Sequence, residues 1–278
     1  MSTKSTPSMA PRTDGAVDSL SDLAAPSASQ RVKVVMATVR QRHHPWLAEM
    51  GLIVALYWLY SVMRSASPDR VSLARSNSHM VETFERAFGL DVELALNHLF
   101  VRNAWLADAA SLWYQIAHMA VTAGVLLWLW HRHHDSYGPL RSSLVVLMVA
   151  GLATYWIFPL APPRFALRGA VDTMITNPVL FAGQESVTGL ANMYAAMPSL
   201  HVGWAFWCAL AVVMTATSRW RYLAWIYPMI TTFVVVGTAN HYLLDAVAGC
   251  AYGLVAYAFA RSVYARVASH AVPAQVGV

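Results

Sequence analysis

The sequence predicts an all-α polytopic membrane protein, with six transmembrane helices and one or two further helices lying at the membrane interface. Three observations carry that prediction. Apolar residues make up 57% of the 278-residue chain and charged residues only 12%, with a mean hydropathy of +0.44; a soluble domain carries about 25% charged residues. The apolar residues fall into six long runs, each near the ~20 residues that a helix needs to cross a hydrocarbon core of about 30 Å. Eleven Trp and 12 Tyr suit aromatic belts at a bilayer surface. Together these exclude a disordered chain and an ordinary cytosolic enzyme. The net charge of +5 does not point to nucleic acid, because the basic residues are scattered between apolar runs and form no stripe.

Residues 1–45 are rich in Ser, Thr, Ala and Pro and read as a cytoplasmic tail, disordered over 1–30. Residues 31–42 (RVKVVMATVRQR) are basic with apolar residues interleaved. That pattern suits a short helix on an anionic membrane surface or a solvated basic tail, and both readings stay open. No apolar run follows the first basic residue, so no secretory signal is read here. Residues 46–265 form the membrane domain, and 266–278 a short C-terminal tail. The six expected spans are Trp46–Met63, Ala104–Trp130, Leu144–Leu160, Leu200–Ala216, Tyr222–Ala239 and Tyr242–Arg261. Between the first two lies His79–Val101, too polar to span. Val81, Phe84, Phe88, Ala95 and Leu99 recur there at helical spacing and predict an apolar face, with Glu82, Glu85, Arg86 and Glu93 elsewhere. Gly89 suits a helix end and Asp91 a helix start.

The basic residues set an orientation. With the N-terminus inside, twelve of the 19 Lys and Arg residues fall on the cytoplasmic side. The positive-inside rule therefore places both termini in the cytoplasm. Cys208 and Cys250 sit in apolar runs and read as small buried hydrophobes. Gly249 and Gly253 form a GxxxG that permits close helix packing, within the chain or between subunits.

Polar groups at the ends of the spans carry the chemistry. In NHYLLD, His241 and Asp245 stand at i, i+4 and share one helical face. The carboxylate can accept from one imidazole nitrogen and leave the other free and more basic. In MPSLH, Pro198 suits the first turn of a helix. Ser199 and His201 then sit at a helix N-terminus, where free amides and the macrodipole attract an anion. In PLAPPR, Arg164 follows the prolines that end the third span, and its planar guanidinium can grip phosphate oxygens in pairs. Six spans place Arg164, His201 and His241 at one membrane face, the extracytoplasmic one. Two histidines, one acid and one arginine from separate helices there point to phosphate chemistry.

Other polar residues are read with alternatives. Tyr114 and His118 share a face inside the second span and either line a substrate groove or pack as a pair. Glu93 and Asn97, on the interfacial helix, could reach a headgroup. His131, His133 and His134 lie at the opposite end and read as a solvated loop, as do His43 and His44. Gln184, Asn192 and Tyr194 fall in a long outer loop, Phe165–Ala196, of a length common in lids.

PPR at 162–164, MPSLH at 197–201 and NHYLLD at 240–245 resemble the three signature segments of the type-2 phosphatidic acid phosphatase superfamily. The likeness is nearest to its inositol phosphorylceramide synthase-like, or inositolphosphotransferase, branch, and covers about residues 46–265. The resemblance implies a six-span enzyme with no metal or other cofactor that acts on lipid phosphoesters through a phosphohistidine. By it, His241 is the nucleophile, Asp245 orients it and His201 is the general acid. Arg164 and Ser199 hold the phosphate; the second guanidinium of the pattern is missing unless Arg168 or another outer residue supplies it, and Asn240 could donate a hydrogen bond in its place. The chain departs from the wider pattern: Phe165 follows Arg164 and no Lys precedes it nearby, Leu200 replaces a Gly, and Val235 stands where an Arg is usual. The expected function is transfer of a phospho-headgroup between lipids, with a lipid phosphoester as substrate and the membrane as partner. Two alternatives are a lipid or isoprenoid phosphate phosphatase and a non-enzymatic lipid or anion carrier.

Overall fold

A computed structural model describes residues 70–173 and 194–270, with isolated helical positions between Glu49 and Val62. The N-terminal tail, most of the first expected span, and Gln184 and Asn192 of the outer loop lie outside the described residues. Among the described residues the structure is helical, with a single isolated bridge pairing Leu160 and Ala195. The helices are α1 (Val71–Ala87), α2 (Glu93–Arg102), α3 (Ala104–Arg132), α4 (His134–Ile157), the one-turn α5 (Pro163–Ala166), α6 (Leu200–Thr215), α7 (Ile226–Gly237) and α8 (Leu243–His270). A 3-10 segment, Arg219–Trp225, leads into α7. Among the described residues three helices are long and apolar enough to cross a membrane: α3, α4 and α8 over Leu243–Ser269. Helix α6 is apolar but shorter.

Two expected boundaries move, each at a proline. Helix α4 begins ten residues before Leu144 and includes Pro139. Gly138-Pro139 reads as a breaker, yet Pro139 is only the sixth residue of the helix, so its missing N–H removes one bond near an end. His131 and Arg132 are the last residues of α3, and His133 alone joins it to α4. The expected loop there is thus a one-residue joint. The expected fifth span, Tyr222–Ala239, divides into the 3-10 segment and the 12-residue α7. Pro228 sits in the first turn of α7, where a proline is tolerated.

Helices α4, α6 and α8 pack most closely. A Cβ on Gly249 would strike the Ser199 carbonyl oxygen, and one on Gly203 would lie 3.3 Å from the Gly249 carbonyl oxygen. The GxxxG of α8 therefore packs within the chain, against α6. Trp207, fully buried, donates its indole N–H to Leu140 O at 3.1 Å and Ser143 Oγ at 3.0 Å, tying α6 to α4. Large apolar side chains such as Leu127, Ile157, Leu254, Val255 and Phe259 point outward and are exposed. Lipid, not water, is the solvent that suits such a surface.

Helices α1 and α2 turn most of the expected apolar face outward. Phe84, Phe88, Ala95 and Leu99 are exposed, and of the expected set only Val81 is buried. The face turned to the bundle carries Ala74, Ser78, Val81 and Glu85, followed by Glu93, Asn97 and Phe100. Periodicity finds the apolar face of an interfacial helix but does not say which solvent that face meets. Here it turns away from the bundle, and the polar face turns toward it.

Candidate active site

Three segments converge because their backbones bond one another. Arg164 N–H donates to Ala239 O at 3.0 Å, joining the first segment to the third. Ser199 N–H donates to Asp245 O at 2.9 Å, joining the second to the third. Leu160 N–H donates to Tyr194 O at 2.7 Å and Ala196 N–H to Leu160 O at 3.2 Å, joining the first to the second. The glycine at 249 permits this approach, since any side chain there would strike Ser199.

His241 is 4% exposed and lies two residues before α8 begins. Its Nδ1 is 2.8 Å from Ala196 O and 3.4 Å from Asp245 Oδ2. Both partners only accept, so Nδ1 carries the hydrogen and Nε2 keeps its lone pair. The i, i+4 contact with Asp245 exists as expected from spacing, but the shorter bond goes to a backbone carbonyl. Asp245, fully buried, also accepts from the Tyr242 N–H at 2.9 Å.

The His201 ring lies 6.0 Å from the His241 ring, centre to centre. Tyr114 stacks on His201 at 4.1 Å, and His118 meets it edge-on at 4.5 Å. His118 Nδ1 in turn donates to Tyr114 O at 3.0 Å. The structure thus brings Tyr114 and His118 against the candidate acid from α3. Ser199 is buried and caps α6, its Oγ accepting from Val202 N–H at 3.4 Å. The amides of Leu200 and His201 fall in the first turn, where no helical acceptor is available.

Arg164 is held on two sides. Its Nη1 donates to Asn240 Oδ1, and its Nε lies 3.1 Å from Asp172 Oδ2. Asn240 is itself fixed, donating Nδ2 to Thr238 Oγ1 at 2.8 Å. Val235, in place of a second arginine, is fully buried, and Arg168 is exposed.

Glu93 and Asn97 face inward and are engaged by backbone. Glu93 Oε1 accepts from Leu243 N–H at 2.9 Å. Asn97 donates to Val171 O and Gly237 O and accepts from Val171 N–H at 2.8 Å. Three groups escape sequence reasoning. The Ala196 carbonyl has no side-chain signature. Asp172 is one of two acids in the outer loop, with nothing local to mark it. Glu85 sits at a position whose neighbours Phe84 and Phe88 suggest the opposite burial. At the far end, His131, Arg132, His134 and Asp135 are exposed.

Residues 79–259 match the PAP2 superfamily. The chain is 29% identical over 138 residues to the phosphoinositol dihydroceramide synthase of Bacteroides thetaiotaomicron, covering 43% of this chain and 45% of that protein. It is 27% identical over 108 residues to the inositol phosphorylceramide synthase catalytic subunit aur1 of Schizosaccharomyces pombe, covering 38% of this chain and 25% of that one. The chain thus spans less than half the length of either relative. No solved structure matches it. The matched stretch contains Arg164, His201, His241 and Asp245, and over it the chain belongs to the PAP2 superfamily.

Proposed function

We propose that this protein is a membrane-embedded lipid phosphotransferase that moves a phosphoinositol-type headgroup from one lipid to the hydroxyl of another through a phosphohistidine on His241. The observation that carries the reading is the pairing of the two imidazoles. His241 has its Nδ1–H fixed by Ala196 O and Asp245 and its Nε2 free, 6.0 Å ring to ring from His201. Family membership and the names of the two relatives support a lipid phosphoester as substrate.

The steps balance. His241 Nε2 attacks the phosphorus of the donor lipid, forming a P–N bond as the P–O bond to the lipid alcohol breaks. His201, as imidazolium, gives its proton to the departing oxygen. Arg164 and the first-turn amides of α6 stabilise the equatorial oxygens as charge spreads over them. The acceptor hydroxyl then attacks the same phosphorus, losing its proton to His201. The P–N bond breaks and both histidines return to their starting forms. Water in the acceptor's place would release the phosphorylated headgroup instead. No step requires a metal.

The domain is read as six spans with both termini in the cytoplasm and the site at the extracytoplasmic face. The test is incubation of purified protein with an inositol phospholipid and a ceramide-type alcohol. A new phosphoinositol lipid is expected, undiminished by a chelator and absent in His241→Ala. Release of inorganic phosphate from a lipid monoester, with no transfer, would select the phosphatase. Turnover unchanged in His241→Ala would sink the catalytic assignment.

A further inference from the structure

Three carboxyls meet the first amides of α8. Asp245 Oδ2 takes the Tyr242 N–H at 2.9 Å, Glu93 Oε1 the Leu243 N–H at 2.9 Å and Glu85 Oε1 the Leu244 N–H at 2.7 Å. These three residues directly follow His241. Free amides at a helix start ordinarily bond a cap or water; here two of them are held by side chains from α1 and α2, about 150 residues away in sequence. Glu85 is 0% exposed and Glu93 is 2% exposed. Among the described residues neither forms an ion pair with an Arg or Lys. Glu85 Oε2 is buried and meets no N–H or O–H donor, and the Glu93 carboxyl stands beside it, bound to the neighbouring amide. Two carboxylates would repel each other there; a carboxylic acid and a carboxylate can share a hydrogen bond.

We propose that Glu85 and Glu93 are positioning residues for His241: a carboxyl pair sharing one proton, which clamps the Leu243 and Leu244 amides and fixes where the imidazole stands. Burial holds the Glu85 carboxyl up at about 8, and Glu93 is raised for the same reason. The groups that face the pair are Asp245 and Tyr242 from the start of α8, with Glu82 nearby on α1. None is a cation, so losing the shared proton leaves Glu85 and Glu93 repelling each other beside Asp245. The clamp therefore loosens as pH rises through about 8. The sign for stability is the same. The folded carboxyl keeps its proton to a higher pH than the unfolded one, so stability is greatest below the ordinary carboxyl range and falls until the folded group has ionised.

The role in catalysis rests on the reading of His241 as nucleophile, and the test separates the two. Glu85→Gln keeps an oxygen for Leu244 N–H and offers an NH2 to Glu93, a permanent imitation of the protonated pair. Thermal unfolding of the full chain in detergent is measured from pH 5 to 9 for wild type and Glu85→Gln. Wild type is expected to lose several degrees in Tm with rising pH, and the variant markedly less. Lipid phosphotransfer is measured over the same range. Glu85→Ala is expected to lower kcat about tenfold or more with KM little changed. Glu85→Gln should restore most of it at pH 7 and push the alkaline fall of kcat upward. An alkaline fall set by His201 or Tyr242 would be alike in both proteins. Equal Tm slopes in wild type and Glu85→Gln overturn the shared proton, and unchanged kcat in Glu85→Ala overturns the positioning role. Absence of any wild-type turnover would instead defeat the functional reading, while the Tm slopes would still decide the carboxyl pair.

Discussion

At one end of the bundle, Glu85, Glu93, His241 and Asp245 are nearly inaccessible; at the other, His131, Arg132, His134 and Asp135 stand in the open. Helix α3, with 29 residues, would run about 43 Å. His131 and Arg132 end it and Tyr114 is its eleventh residue, so about 26 Å of helix separates the two clusters. The local sequences look alike, since each crowds histidines and acids beside an apolar run. They differ in what the third dimension supplies. The buried cluster finds backbone partners: Ala196 O for His241, Tyr242 N–H for Asp245, and Leu243 and Leu244 N–H for the two glutamates. At the exposed end His134 Nδ1 bonds only the local carbonyl four residues back, at 3.1 Å. An ionisable group in a membrane protein is costly to bury, so it stays buried only where such partners are built.

The comparison breaks most readily at the histidines. His241→Ala should reduce phosphotransfer by at least about 10³-fold, while His131→Ala and His134→Ala together should stay within about twofold. A side-by-side assay on one lipid pair decides it, and equal losses at both ends would erase the distinction. The next largest effect belongs to Arg164. Lys keeps the charge but loses the planar fork that Asn240 and Asp172 orient, so Arg164→Lys should cost about 10²-fold in kcat. Packing sharpens the contrast further. Gly249→Ala drives a methyl into the Ser199 carbonyl, whereas a Cβ on Gly124 meets nothing within 4 Å. The first change should destabilise the protein by about 1–3 kcal/mol and weaken turnover, and the second should do neither. Thermal unfolding in detergent reads both. The smallest effect is expected at Asp172→Asn, which keeps an oxygen near Arg164 but removes its charge. Weaker headgroup binding of a few-fold, seen in KM more than in kcat, would fit that role.

Much of this was open to reading from residues alone. Helix α3 begins at the expected Ala104. His241 and Asp245 touch as their spacing requires, and the backbones of the three segments bond one another. What misleads is local. The third span is expected from Leu144, but its helix begins ten residues earlier and takes in Pro139 near its start, where a lost amide matters little. Phe84 and Phe88 mark an apolar face, and Phe88 is 67% exposed while Glu85 is fully buried. A soluble helix would place them the other way, and hydrophobic periodicity carries no sign for the surrounding solvent.

The sequence by itself determined the membrane class, because scarcity of charge is a property of composition. It also determined the candidate chemistry, because the few polar groups stand at the ends of apolar runs. Only the tertiary structure decided what holds those groups. The shorter hydrogen bond to His241 comes from a backbone carbonyl 45 residues away. The amides that follow it are taken by glutamates more than 140 residues distant. Backbone carbonyls and amides are the same at every position of a chain, so their role appears only when folding brings a particular one within reach of a particular side chain.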